Sequence, residues 1–152
     1  MNENTTLVWG IKESLLGYVE GLDDGAIEVS GTASRIGNEF EFTLDVAESD
    51  YDADSRLGTL QFRGSVLLTG YAGAMRVEIK DPQLYLKGDV GGLALMASSI
   101  FTGDRFEGVA LVEVTEYEPE LLGRPKLTPG GPIIFGPQYQ AGQELDVLRV
   151  RW

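Results

Sequence analysis

Neither histidine nor cysteine occurs anywhere in the sequence. Without cysteine there are no disulfides, thiolate metal sites or cysteine nucleophiles. Without histidine, the usual zinc clusters, an imidazole general base, serine–histidine triads and histidine-ligated haem are excluded as well. Chemistry is left to carboxylates, hydroxyls, phenols and shape. Basic residues are scarce too: 12 Lys and Arg face 24 Asp and Glu, a net charge of −12. Such a surface repels nucleic acid and anionic membranes, so no nucleic-acid partner is expected, and the acidity serves mainly solubility. Long apolar runs are missing. Nothing approaches the roughly 20 residues of a membrane span, and the start from Met1 to Thr6 lacks the basic opening and apolar stretch of a secretory leader. As written, the chain reads as a soluble cytoplasmic protein with no membrane insertion. A secreted or cell-surface protein whose leader has been removed reads the same way.

What is abundant is glycine, with 20 residues recurring between short alternating apolar runs, the punctuation of many turns and hence many strands. A chain of 152 residues that is 43% hydrophobic can bury one substantial core. No internal repeat or second boundary is visible, so residues 1–152 read as a single domain. One helix is expected, from about Gly10 to Glu20, with Ile11, Leu15 and Tyr18 on one face, Ser14 one turn before Tyr18, and Gly21 as the stop. This spacing turns Tyr18 inward. Strands follow around Ile27 and Val29, over Phe40, Phe42, Leu44 and Val46, and through Leu60, Phe62, Val66 and Leu68. Gly70-Tyr71-Ala72-Gly73 links the last of these to Met75, Val77 and Ile79 as a hairpin. Asp81-Pro82 ends that strand. Others are expected at Leu84 to Leu86, from Leu93 to Ile100, at Val109 to Val114 and from Leu145 to Trp152. Glu116 to Gly136, with four of the six prolines, reads as a long connection. The expected fold is all-β with one or two short helices, as an antiparallel sandwich or an irregular barrel.

Few segments offer themselves as sites. Asp50-Tyr51-Asp52-Ala53-Asp54-Ser55 copies the opening of a calcium loop, but Ser55 stands where the turn needs glycine and Gln61 where it needs the bidentate glutamate. It reads as a solvated loop. Thr128-Pro129-Gly130-Gly131-Pro132 reads as a rigid turn. Tyr18, beside Ser14, either satisfies its hydroxyl inside the core or directs it into a pocket. Tyr71, on the hairpin turn, is either a surface residue or a pocket wall.

Leu7-Val8-Trp9-Gly10-Ile11-Lys12-Glu13-Ser14, followed by Tyr18-Val19-Glu20-Gly21, is similar to the opening of HtaA domains, modules of actinobacterial haem uptake that are secreted or surface-anchored. Phe62-Arg63-Gly64-Ser65-Val66, Gly70-Tyr71-Ala72-Gly73 and Asp81-Pro82 resemble that family's central hairpin. Leu127-Thr128-Pro129-Gly130-Gly131, Phe135, Tyr139, Ala141-Gly142 and Leu145-Asp146 resemble its end. The resemblance implies a β-rich fold with a cleft for haem. It also implies that Tyr18 is the metal ligand, to haem iron, for which a tyrosinate is a suitable hard anionic donor. The family's partner position, typically a histidine that hydrogen-bonds the ligating tyrosine, matches Tyr71 here. A neutral phenol is a poorer base than imidazole. The candidate ligand-binding set is Tyr18, Tyr71, Ser14, Trp9 and Met75, with no catalytic residue assigned. Lys12, Arg63 or Arg76 would be the counter-charges for haem propionates.

Two functions of different class follow: a cleft that binds haem or a related large hydrophobic ligand, or the same cleft used by a cytoplasmic cofactor-free enzyme. Without histidine or cysteine, the enzyme would be a cyclase or isomerase of a polyketide-like small molecule, working by positioning and hydrogen bonds.

Overall fold

The computed structural model describes residues 1–96 and 105–152. The described residues include twelve strands and two short α-helices. The order is β1 (Thr6–Trp9), α1 (Glu13–Glu20), β2 (Ala26–Ser30), β3 (Ser34–Ile36), β4 (Glu39–Leu44), β5 (Leu57–Arg63), β6 (Ser65–Gly70), β7 (Met75–Lys80), β8 (Gln83–Lys87), β9 (Val90–Met96), β10 (Arg105–Glu116), β11 (Glu120–Leu127), α2 (Gly131–Phe135) and β12 (Leu148–Arg151). Eight strands close an antiparallel barrel in the order β1-β12-β11-β10-β9-β8-β5-β4, with β4 pairing back onto β1 and β3 added on β4. A separate three-stranded sheet runs β2-β6-β7. The fold is therefore mostly β, and of the two expected architectures it is the barrel.

The alternation that marks these strands in the sequence is the alternation of burial. In β4, Phe40, Phe42 and Leu44 are buried and their neighbours partly wet; in β6 and β7, Val66, Leu68, Val77 and Ile79 are buried. One core cluster joins the interior of the barrel to the three-stranded sheet.

Several expectations need correcting. The run through Leu60, Phe62, Val66 and Leu68 is two strands in two sheets, because Gly64 adopts φ 127° and turns the chain out of the barrel. A Cβ there would lie 2.5 Å from that of Ala33, so the position needs glycine twice over. The chain returns at Asp81, whose Oδ1 accepts the Gly64 N–H at 3.0 Å, while Arg63 reaches Asp45 at 2.9 Å and Asp81 at 3.5 Å. The β6–β7 hairpin thus leaves and re-enters the barrel at one pinned point. Glu116 to Gly136 is no long connection: it holds β11 and α2. Pro125 is tolerated in β11 because β12 pairs only with Glu120–Gly123, which leaves Pro125 beyond the doubly paired part. Strand β1 has no alternating pattern, since Val8 on its outer side is also buried. The strand expected from Leu145 begins at Leu148, and the part of the run expected to reach Ile100 beyond Met96 lies outside the described residues.

The barrel seam explains what covers Val8. Val8 pairs with Glu41 on one side and Arg149 on the other. Across it, Arg149 meets Glu39 at 2.8 Å and Glu120 at 3.8 Å, and Arg151 meets Glu41 at 3.5 Å and Glu120 at 3.8 Å. Two of the scarce cations are thus placed against three carboxylates, with their aliphatic stems beside an apolar residue. Arg149→Ala is expected to cost about 1 kcal/mol, read as a fall of a few degrees in Tm that shrinks in high salt. A full-size loss persisting in 1 M salt would assign the effect to the stem alone.

Candidate functional site

The helix bearing Tyr18 starts later than its apolar spacing predicts. Ile11 sits in the left-handed region at φ 63° and cannot begin it. Asp146 instead receives the Glu13 N–H on Oδ2 at 2.9 Å and starts α1 there. Ile11 is still buried, but from the preceding loop. The helix presses Leu15, Leu16 and Val19 onto the core, which rotates Tyr18 to the edge of that face and leaves it 50% exposed. The expectation that Tyr18 turns inward is corrected accordingly.

Tyr18 borders a cleft of about 690 Å³, within the roughly 300–1,000 Å³ usual for small-molecule sites. Three elements form it. Helix α1 contributes Ser14, Leu15 and Tyr18; the hairpin tip and β7 contribute Tyr71, Met75, Arg76 and Val77; the end of α2 and the segment after it contribute Phe135 and Tyr139. The structure therefore gathers Ser14, Tyr18, Tyr71 and Met75 around one cavity. Trp9 is elsewhere. It is fully buried in β1, its indole N–H donates to the Asp146 carbonyl at 2.8 Å, and it is not part of the cleft lining. Burial of the large ring between its paired neighbours Leu148 and Phe40 is the physical reason.

At the mouth of the cleft the hydroxyls of Tyr18 and Tyr71 share a short hydrogen bond, their rings tilted at 52° with centroids 6.5 Å apart. Tyr71 is 55% exposed. The hydrogen bond to Tyr18, above all, raises its pKa above the ordinary phenol value, so Tyr71 keeps its proton through neutral and mildly alkaline pH. Whatever stability the raised value represents is present below the unfolded phenol pKa and lost as pH rises through the folded one.

The backbone that presents Tyr71 is unusual. Tyr71 (φ 51°), Ala72 (φ 54°) and Gly73 (φ 90°) are all left-handed, two of them without the freedom of glycine. Asp24 faces this turn, accepting the N–H of Tyr71 at 3.0 Å and of Ala72 at 2.6 Å. Those two bonds lower the Asp24 pKa. The interaction is therefore complete at neutral pH, and its contribution is lost only as pH falls through that lowered value.

Two further residues join the cleft that the sequence does not single out as ligand-binding. Phe135 and Tyr139 pack edge to face, with centroids 5.7 Å apart. Tyr139 is only 9% exposed, burial raises its pKa, and its hydroxyl has no hydrogen-bond partner among the described residues. Both belong to the C-terminal segments that carry the family resemblance, which is the one signal that pointed at them.

Of the three candidate counter-charges only Arg76 lines the cleft, 3.5 Å from Glu78. Lys12 donates to the Glu144 carbonyl and Arg63 is held by Asp45 and Asp81. In the acidic loop, Asp50 accepts the Thr59 N–H and Asp52 those of Asp54 and Ser55, so these carboxylates build turns. Among the described residues no group of three or more acidic side chains is arranged to hold a metal, and no helix is long and apolar enough to cross a membrane.

A closed antiparallel barrel with a small side sheet and a cleft at its helix-bearing edge describes a class of β-rich domain. The chain belongs to the HtaA family, whose model matches residues 4–151. Solved structures with the same fold include the C-terminal domain of HtaA from Corynebacterium glutamicum, 23% identical, with a TM-score of 0.76 over 96% of this chain and 93% of that one. The N-terminal domain of the same protein is also 23% identical, with a TM-score of 0.75 over 97% and 96%. The heme-binding protein HtaB from Corynebacterium glutamicum is 20% identical, with a TM-score of 0.70 over 96% and 91%. A search of curated protein sequences finds no match.

Proposed function

We propose that the cleft binds ferric haem, or a closely related flat tetrapyrrole, with the Tyr18 phenol oxygen as the iron ligand. The observation that carries this reading is the convergence of the Tyr18 and Tyr71 hydroxyls at the edge of a largely apolar cavity. Family membership and the printed function of HtaB support it. The residues fit the group: a phenolate is a hard anionic donor suited to ferric iron, and Leu15, Met75, Val77 and Phe135 supply apolar and aromatic walls for a macrocycle. Bound there, haem would supply a Lewis-acidic iron that favours the phenolate form of its ligand.

The protein's own part follows from the phenol pair. Tyr71 holds its proton, so it acts on Tyr18 as a donor, stabilising a phenolate oxygen by a charge-assisted hydrogen bond. It does not remove the Tyr18 proton. That proton leaves to solvent, which the half-exposed position of Tyr18 permits. Arg76 is the cation placed to meet a carboxylate of the ligand, and Tyr139 offers a free hydroxyl.

A second reading keeps the cleft and drops the metal. Three phenol hydroxyls around one apolar cavity are proton donors suited to stabilising a developing oxyanion in a cofactor-free cyclisation or isomerisation. Titration of ferric haem into the purified protein separates the two. Haem binding predicts a saturable one-to-one spectral change with a phenolate-to-iron charge-transfer absorption. No saturable change at micromolar haem overturns that reading and leaves the second.

A further inference from the structure

We infer that Asp24 is a positioning residue for the cleft: its carboxylate clamps the left-handed tip of the β6–β7 hairpin and thereby sets the Tyr71 hydroxyl against Tyr18. The inference rests on the cleft being the binding site, and it holds whatever ligand the cleft takes.

The geometry begins with conformation. A four-residue loop, 71–74, closes the hairpin between the paired residues Gly70 and Met75. Tyr71 and Ala72 both occupy the left-handed region, where a side chain's Cβ crowds the following carbonyl. A turn of that shape is ordinarily built from glycine, asparagine or aspartate. Here neither strained residue is one of these. Something outside the turn must hold it, and the Asp24 carboxylate does so with one oxygen on each of the two N–H groups, at 3.0 and 2.6 Å. An anionic acceptor of two adjacent N–H groups makes the stronger class of hydrogen bond.

Asp24 is itself held. It lies in the connector between α1 and β2, where the Leu22 N–H bonds the Val19 carbonyl at 3.1 Å and the Gly25 N–H bonds that of Leu22 at 3.3 Å. Gly25 passes so close to the Val19 carbonyl that a Cβ would lie 1.8 Å from its oxygen. Leu22 packs onto the hairpin base at Gly70, where a Cβ would lie 2.5 Å from its Cδ1. The connector is therefore fitted to both the helix that carries Tyr18 and the hairpin that carries Tyr71. The phenol pair is assembled by three segments, and Asp24 joins two of them. Without it, Ala72 and Tyr71 are free to relax toward right-handed or extended backbone, and the Tyr71 hydroxyl swings away from Tyr18.

The test uses the ligand-free protein, then ferric haem. Asp24→Ala is expected to speed hydrogen exchange at the Tyr71 and Ala72 amides about tenfold or more, with the melting curve little changed because the carboxylate is on the surface. Nuclear Overhauser contacts between the Tyr18 and Tyr71 rings, which report the pairing itself, should weaken in the same variant. The deciding variant is Asp24→Ala combined with Ala72→Gly. Glycine takes the left-handed conformation freely, so the double variant should regain most of the ring contacts with no carboxylate present. Should Asp24→Ala fail to fold, Asp24→Asn, which keeps one acceptor oxygen, is read by the same exchange. Unchanged exchange and ring contacts in the single variant, or a double variant as displaced as the single one, overturns the proposal. Ferric haem affinity should fall about tenfold in Asp24→Ala. If wild type binds no haem, the haem reading fails, while the two ligand-free measurements still decide the role of Asp24.

Discussion

Tyr18→Phe is expected to weaken ferric haem binding by more than about 100-fold and to abolish the phenolate-to-iron absorption, while leaving the melting temperature within about 2 °C of wild type. The two halves of that expectation have separate origins. Loss of the oxygen removes the only cleft group proposed as an iron ligand, and a change in ligation costs at least as much as the 10- to 100-fold typical of outer-shell changes. The fold should be indifferent, because Tyr18 is half exposed and the core face of α1 is Leu15, Leu16 and Val19. Tyr71→Phe is the informative companion. It keeps the ring and removes the donor to Tyr18, so affinity should fall about tenfold with the charge-transfer absorption retained. A Tyr18→Phe protein that binds haem with unchanged affinity and spectrum would assign the iron to a different ligand and remove the basis for the phenol pair's role.

Trp9→Ala is expected to destabilise the protein by about 4 kcal/mol, a fall of roughly 10 °C or more in Tm for a chain of this size. The indole is fully buried between β4 and β12, the two strands through which β1 closes the barrel. Its N–H donates to the Asp146 carbonyl, and the Asp146 side chain accepts the Glu13 N–H at the start of α1. Removing the ring opens a cavity and loosens the residue that fixes where the Tyr18 helix begins. Trp9 therefore acts on the cleft through Asp146, at one remove from the ligand. Trp9→Phe separates the two contributions, losing the hydrogen bond while retaining much of the packing, and should cost about 1–2 kcal/mol. Should Trp9→Phe lose haem binding with an unchanged melting curve, the indole would have to be placed at the ligand instead.

Strands that are wet on one face were legible from the sequence, since period-two burial is written directly in Phe40, Phe42 and Leu44 and in the hairpin around Tyr71. Strands that break this rule were not. Arg149 and Arg151 with their carboxylate partners cover Val8, so β1 loses its outward polar position. Gly123 and Pro125 make β11 look like a loop, although Gly123 is there because Val112 and Leu148 press on it, within 3 Å of where a Cβ would stand. The direction of Tyr18 is not legible from apolar spacing, because Ile11 fits the helical stripe but is left-handed. With Ile11 outside the helix, Leu15, Leu16 and Val19 set the buried face, and Tyr18 falls about a quarter of a turn off it. In the cleft, the helix and hairpin tyrosines were identifiable as a pair by resemblance. Asp24 was not, because its role depends on the backbone conformation of residues 47 and 48 positions away.

Closure of the barrel has a consequence in time. Strand β1 lies between β4 and β12, and Thr6 pairs with both Thr43 and Arg151. The partner at residue 43 is available early in synthesis, while the one at 151 emerges only after every other strand of the barrel. Pairings of such wide sequence separation are slow to form, because the entropy of bringing the ends together must be met before the contacts repay it. On the ribosome, β1 and β4 can meet long before β12 emerges, and until then the far edge of β1 remains an open ladder of backbone donors and acceptors. The seam of Arg149, Arg151, Glu39, Glu41 and Glu120 is then the last part of the barrel to be completed, and its ion pairs form only as β12 covers that edge.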